Sequence, residues 1–259
     1  MALGIDNEQF KYQEVVMSNK KKSAIVTGSS RGIGRAIAER LAADGVSVVI
    51  NYARNSKQAD EVVRRIIDRG GEAVAVQADV SKPADIRRLF DEAQKFNGAP
   101  DIVVANAGVF LRKPLSESTE EDYENVFNTN TKGVFFTLQE AARRVNNGGR
   151  IVAVSTGGTR MPFGDASLYL GSKGAVEQFV RSLSRELGTK FITVNILSPG
   201  FTETDMLPED AQLRSFGASL SPFNRVGTSE EVAEVAAFIA SEAAGWVTGQ
   251  NIQAGGGVV

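Results

Sequence analysis

The sequence predicts an α/β fold, a doubly wound parallel sheet of about seven strands with helices on both faces, in a single domain. Three observations lead there. Short apolar runs recur at intervals along the chain, and the segments between the first six have helical length and periodicity. The runs are continuously apolar, which suits strands buried on both faces. Polar and turn residues collect at their C-terminal ends, where ligands bind in open α/β sheets.

Taken in order, residues 1–22 are polar, mixed in charge and without periodicity, ending in Lys20, Lys21 and Lys22. They read as a flexible extension ahead of a domain filling 23–259. The strands are expected in SAIVTG from Ser23, VSVVIN from Val46, EAVAVQAD from Glu72, DIVVANAG from Asp101, RIVAVST from Arg150, FITVNILSPG from Phe191 and QNIQAGG from Gln250. Their ends bring Thr27 and Gly28, Asn51 and Tyr52, Asp79, Asn106, Ser155 and Thr156, and Ser198 and Pro199 to one edge. Thr228 and Glu231 have the spacing of a capping box that restarts a helix after the sixth strand.

Composition narrows the chemistry. With 259 residues the chain can bury a full core, and its net charge of −2 leaves no footprint for nucleic acid or an anionic membrane. It has no cysteine and no histidine. Thiolate nucleophiles, the Ser-His-Asp triad and the usual transition-metal ligands are thereby excluded, and no metal site is expected. Acid–base work must fall to Tyr, Lys, Asp or Glu. No apolar run has membrane-spanning length and no signal-peptide pattern opens the chain, so a cytoplasmic location is expected.

The stretch from Ser155 to Lys173 answers that constraint. Tyr169 and Lys173 are four residues apart, stacked on one helical face with Val176, Val180, Leu183 and Leu187. A lysine on an apolar stripe must be paired or serve a site, unless its stem packs while its ammonium reaches water. Two hydroxyls, Ser155 and Thr156, begin the stretch. Bringing a phenol from a pKa of ~10 to about 7 takes roughly 4 kcal/mol. One ammonium ~4 Å away at an effective dielectric near 20 supplies about that much. Lys173 is therefore expected to lower the pKa of Tyr169.

The first strand runs directly into Thr27-Gly28-Ser29-Ser30-Arg31-Gly32-Ile33-Gly34 and a helix. Gly28 permits a tight turn, Gly32 lets backbone approach a pyrophosphate, and Gly34 allows close helix–strand packing. The helix N-terminus offers free N–H groups to an anion. At the end of the second strand, near Asn51 and Tyr52, the acid that would hold an NAD ribose is missing. Arg31, Arg54 and Lys57 bring positive charge there instead, which favours NADP(H) over NAD(H).

With Gly28-xxx-Gly32-x-Gly34, Asn106-Ala107-Gly108, Tyr169-x-x-x-Lys173 and Pro199-Gly200 in order, the chain resembles the short-chain dehydrogenase/reductase family from Ser23 to its end. It is most similar to 3-oxoacyl-carrier-protein reductase-like members, partly through PGFTETDM and PFNRVGTSEEVA. The resemblance implies a Rossmann-type fold with Asp79 and then Val80 beside the adenine, and Asn106, Ala107 and Gly108 lining the cofactor. It implies Asn130, on a stripe with Val126, Phe127, Val134, Leu138 and Ala141, as the asparagine of a catalytic tetrad that holds a water near the lysine. Pro199, Gly200, Thr202 and Thr204 would close over the nicotinamide, and 201–223 would form a lid over the substrate. The spacing back from Tyr169 gives the serine's role to Thr156, with Ser155 as the alternative. Tyr169 would protonate a ketone's developing alkoxide, and Lys173 would bind the nicotinamide ribose.

The resulting expectation is an NADPH-dependent reductase of a 3-oxoacyl or other ketone, assembled as a homotetramer through the helices of Asn130 and Tyr169. A polyol or cyclic-alcohol dehydrogenase is the alternative. A protein that senses the dinucleotide without catalysis is a third reading. Phe110, Leu111, Met161, Pro162, Phe163, Met206 and Leu207 are candidates for an apolar substrate pocket.

Overall fold

The computed structural model describes residues 21–207 and 209–259. The expected extension over 1–22 therefore lies, apart from Lys21 and Lys22, outside the described residues. Seven strands form one parallel sheet: β1 (Ser23–Val26), β2 (Ser47–Tyr52), β3 (Ala73–Gln77), β4 (Ile102–Ala105), β5 (Arg150–Val154), β6 (Thr193–Pro199) and β7 (Asn251–Ala254). Their order is β3-β2-β1-β4-β5-β6-β7. The order reverses between β1 and β4, and that switch point opens the crevice in which such sheets bind ligands.

Helices cover both faces, because each strand sends alternate side chains to opposite layers. Val48 and Ile50 of β2 join the core beneath α1 (Gly32–Ala43), α2 (Ser56–Asp68) and α8 (Ser229–Ile239). Val49, between them, joins the core beneath α3 (Pro83–Asn97), α5 (Val134–Arg144) and α6 (Ser167–Glu186). With apolar layers on both sides, the strands cannot be shifted by one residue without burying the wrong set.

The remaining helices are α4 (Glu120–Phe127) and α7 (Ala211–Ser219), the latter inside the segment expected to be a lid. Capping follows local chemistry. Thr119 and Asp122 close a capping box on α4, and Thr228 and Glu231 close the predicted one on α8. Among the described residues, no helix is long and apolar enough to cross a membrane.

One element departs from its expected form. The stripe through Asn130 predicts a continuous α-helix, whereas Asn128–Gly133 between α4 and α5 widens into a π-helical turn. At its end Gly133 lies so near Val80 that a Cβ there would fall 2.9 Å from the Val80 carbonyl oxygen. The wider turn lets the Asn130 amide face inward while Val134, Leu138 and Ala141 stay in the core.

Candidate active site

The glycine loop is set by backbone geometry. Gly28 and Gly32 have φ of 63° and 55°, the left-handed region that glycine enters without strain. A Cβ on Gly34 would fall 2.4 Å from Asn106 Nδ2 and 2.5 Å from the Gly28 carbonyl oxygen, so the expected close packing is real. The N-terminus of α1 has no side-chain cap and no acid in its first turn. Its N–H groups thus have neither a side-chain cap nor an acid from their own first turn, which fits the pyrophosphate of a dinucleotide.

The loop is braced from three strands. Asn51, buried at the end of β2, accepts from Gly28 N at 3.0 Å through Oδ1 and donates to the Ala78 carbonyl at 3.0 Å through Nδ2. Asn106 Nδ2 donates to the carbonyls of Thr27 at 2.9 Å and Gly28 at 3.2 Å. Thr27 Oγ1 accepts from the backbone of Asn106 and Ala107 at 2.9 and 3.0 Å. Asn51 entered the sequence reading only as a strand end; its signal was an amide closing an otherwise apolar run.

The other residues predicted to hold the cofactor lie at or just beyond the ends of β1, β2 and β3. Tyr52 ends β2 half-buried, and Arg54 just beyond it is exposed. Ser30 and Ile33 flank Arg31 and Gly32 in the loop. Asp79 accepts from Ser81 N and Oγ at 3.0 and 2.7 Å. Its carboxyl stays below the usual range: burial pushes it up, but the Ser81 hydrogen bonds and nearby Lys82 outweigh that. Val80 is buried beside it. Arg31 is exposed and pairs with Asp205 at 3.5 Å, reaching from the glycine loop to the segment after β6.

That segment leaves the sheet at a backbone-on-backbone contact. A Cβ on Gly200 would fall 2.8 Å from Gly255 Cα. Beyond it, buried Thr202 donates to the Gly200 carbonyl at 3.0 Å, and Thr204 lies over Gly32. Thr204 thus borders the glycine loop, while Pro199 lies by Gly157 and Gly200 packs on Gly255.

Tyr169 and Lys173 occupy the buried face of α6, only 8% and 3% exposed. Lys173 Nζ donates to the Val154 carbonyl at 2.8 Å, and burial pushes its pKa down to about 8. Burial pushes the Tyr169 phenol up from its ordinary value, and a hydrogen bond from the Thr156 side chain partly opposes this. The expectation that Lys173 lowers Tyr169 is thus corrected: desolvation governs the phenol, and the group opposing it is Thr156.

The two candidate hydroxyls point in opposite directions. Ser155 continues β5, donating its backbone N–H to the Leu197 carbonyl at 2.8 Å, and Thr156 is extended at φ −160°, ψ 148°. Successive side chains on extended backbone face opposite sides. Ser155 Oγ accordingly turns to Glu177, at 3.0 Å, while Thr156 faces Tyr169.

Asn130, fully buried, accepts from Val109 N at 2.8 Å and donates to the Val109 carbonyl at 2.9 Å and Ser172 Oγ at 3.0 Å. A Cβ on Gly108 would lie 3.2 Å from Asn130 Oδ1 and 3.3 Å from Lys173 Nζ, so amide and ammonium converge beside that glycine. Phe110 meets the Tyr169 ring edge-on at 4.9 Å between centroids.

Known proteins resemble the chain along most of its length. The family model described as enoyl-(acyl carrier protein) reductase matches residues 28–259. A hydroxynaphthalene reductase-like protein of Metarhizium guizhouense is 42% identical over 262 residues, covering 95% of this chain and 98% of the relative. A short chain dehydrogenase of Passalora fulva is 42% identical over 248 residues, covering 90% and 93%. Among solved structures, the angucycline C-6 ketoreductase LanV with bound NADP superposes with TM-score 0.88 at 40% identity, over 92% of this chain and 95% of that one. A short chain dehydrogenase from Burkholderia cenocepacia in complex with NADP gives TM-score 0.88 at 38% identity, over 92% and 98%.

Proposed function

The chain is an enzyme of the short-chain dehydrogenase/reductase family, and we propose that it reduces a cyclic ketone carried on an aromatic fused-ring skeleton, using NADPH in preference to NADH. The observation that carries this reading is the buried Tyr169 with the Thr156 hydroxyl directed at it. A phenol raised by burial stays protonated at neutral pH and is suited to giving a proton.

NADPH supplies the hydride when bound, and the uncapped start of α1 with Gly28, Gly32 and Gly34 suits its pyrophosphate. Thr156 orients the carbonyl oxygen by donating to it. Tyr169 gives its hydroxyl proton to that oxygen as negative charge develops there. Lys173 and Asn130, which converge beside Gly108, hold the route by which the proton is replaced. Arg31 and Arg54 would hold the 2′-phosphate of NADPH, and the NADP in related structures supports that cofactor.

Two observations support the substrate class. The relatives include a hydroxynaphthalene reductase-like protein and an angucycline ketoreductase. Aromatic side chains also flank the reactive groups, with Phe110 on Tyr169 and Phe163 beside Gly158, two residues past Thr156. Flat walls of this kind favour a flat ring over a flexible acyl chain. A homo-oligomer is supported by exposed Tyr123 and Phe135 on α4 and α5, and by fully exposed Trp246 beyond α8.

The test is a substrate panel of fused-ring aromatic ketones, 3-oxoacyl thioesters and polyols, assayed with each cofactor in both directions. Fastest NADPH-dependent reduction of the ring ketones is expected. Turnover confined to polyols with NAD, or cofactor binding without turnover on any carbonyl, would overturn the reading.

A further inference from the structure

Glu177 is a buried acid that the chemistry above does not use. It lies on α6 one turn beyond Lys173 and is 7% exposed. Its Oε1 accepts from the Ser155 hydroxyl at 3.0 Å and the Thr159 hydroxyl at 2.6 Å, and its Oε2 faces Arg181 at 3.4 Å. Those two hydroxyls flank Thr156 in sequence.

Thr159 Oγ1 also lies 2.9 Å from the Thr156 carbonyl oxygen, and Gly158 N donates to Thr156 Oγ1 at 3.2 Å. The short turn Gly157–Thr159 is thereby fastened to α6 on one side of Thr156, and Ser155 fastens the other side. Without the carboxyl group, two hydroxyls would lose their buried acceptor, a cost that moving the turn could relieve. Such movement would swing Thr156 away from Tyr169.

We propose that Glu177 is a positioning residue for the reaction: by holding Ser155 and Thr159, it fixes the side chain of Thr156 on Tyr169. This rests on the role given to Thr156 above. Glu177 then acts on turnover and on the proton affinity of Tyr169, not on cofactor binding. It also accounts for Ser155, whose hydroxyl is an anchor one residue from the working one.

The experiment compares Glu177→Ala, Glu177→Gln, Thr156→Ala and the double variant Glu177→Ala/Thr156→Ala, all with saturating cofactor. Glu177→Ala should lower kcat on the order of 10- to 100-fold, the scale of a small misplacement of a reacting group, with NADPH affinity within about threefold. The rise of alcohol oxidation with pH should move to higher pH, because Tyr169 loses the hydrogen bond that lowers its pKa. Glu177→Gln keeps an amide oxygen for both hydroxyls and should restore most of the turnover. In the Thr156→Ala background, Glu177→Ala should cost less than about twofold.

Wild-type turnover in Glu177→Ala, an equal loss in the Thr156→Ala background, or a Gln variant as impaired as Ala would each overturn the proposal. An impaired Thr156→Ala beside a silent Glu177→Ala refutes the anchor alone. A fully active Thr156→Ala refutes the role of Thr156 itself. If Glu177→Ala does not fold, Thr159→Val reads the same anchor: roughly a fivefold loss in kcat, about one hydrogen bond's worth, is expected, and a wild-type rate overturns it.

Discussion

The ammonium of Lys173 is spent on the backbone: its Nζ donates to the carbonyl of Val154, the last residue of β5, at 2.8 Å. A single neutral acceptor does not replace the water an ammonium loses on burial, which is why its pKa falls to about 8.

That shift sets a pH dependence of stability. Between about pH 8 and the ordinary 10.5 the unfolded chain holds a proton that the folded one has released, so stability rises with pH through this window. The full difference is about 3 kcal/mol at 1.36 kcal/mol per unit. Above pH 10 the raised Tyr169 works the other way, because the unfolded phenol ionises first. Chemical denaturation from pH 7 to 10 should show the rise in the wild-type enzyme and a flatter curve in Lys173→Met. Parallel curves would contradict the burial of an uncompensated ammonium.

Tyr169→Phe should remove nearly all turnover, at least 10³-fold in kcat, while NADPH affinity stays within a few-fold. The packing of Phe110 on the ring survives this change, so thermal stability should move little. Steady-state kinetics beside cofactor titration decides it, and turnover within a few-fold of wild type would remove Tyr169 from its role.

The two adjacent hydroxyls should separate cleanly. Thr156→Ala loses a donor aimed at the reacting oxygen and should lower kcat about 100-fold. Ser155→Ala loses only a bond to Glu177 and should cost a few-fold. The reverse order in kcat would hand the role to Ser155.

Arg31→Ala should weaken NADPH about tenfold and leave NADH within about twofold, since one charge-assisted contact to a phosphate is lost. The Arg31–Asp205 pair has both side chains 65% exposed and is worth little on its own. Asp205→Asn should therefore leave stability unchanged and NADPH affinity equal or slightly higher. Equal losses for both cofactors in Arg31→Ala would show that the arginine does not read the 2′-phosphate.

What the sequence discloses and what it hides divide along the range of the contacts involved. The seven strands, the buried stripe from Tyr169 to Leu187 and the Thr228–Glu231 box are written in neighbouring residues, and the structure has them all. The widened turn at Asn128–Gly133 is settled by Val109, 21 residues from Asn130, and by the approach of Gly133 to Val80. The bracing by Asn51 depends on Gly28, 23 residues away. Spacing brought Thr156 forward, but only the alternation of the extended chain shows why Ser155 turns aside. The direction of the Tyr169 shift was missed because burial is a property of the whole fold, whereas the lysine four residues on is visible in the sequence.

At the root of the segment over the crevice, Gly200 meets Gly255 with no side chain between them. A pivot made of bare backbone cannot be retuned by substitution; it can only be kept or broken. Any change of side chain in this segment has to fall beyond that contact, at exposed positions such as Met206.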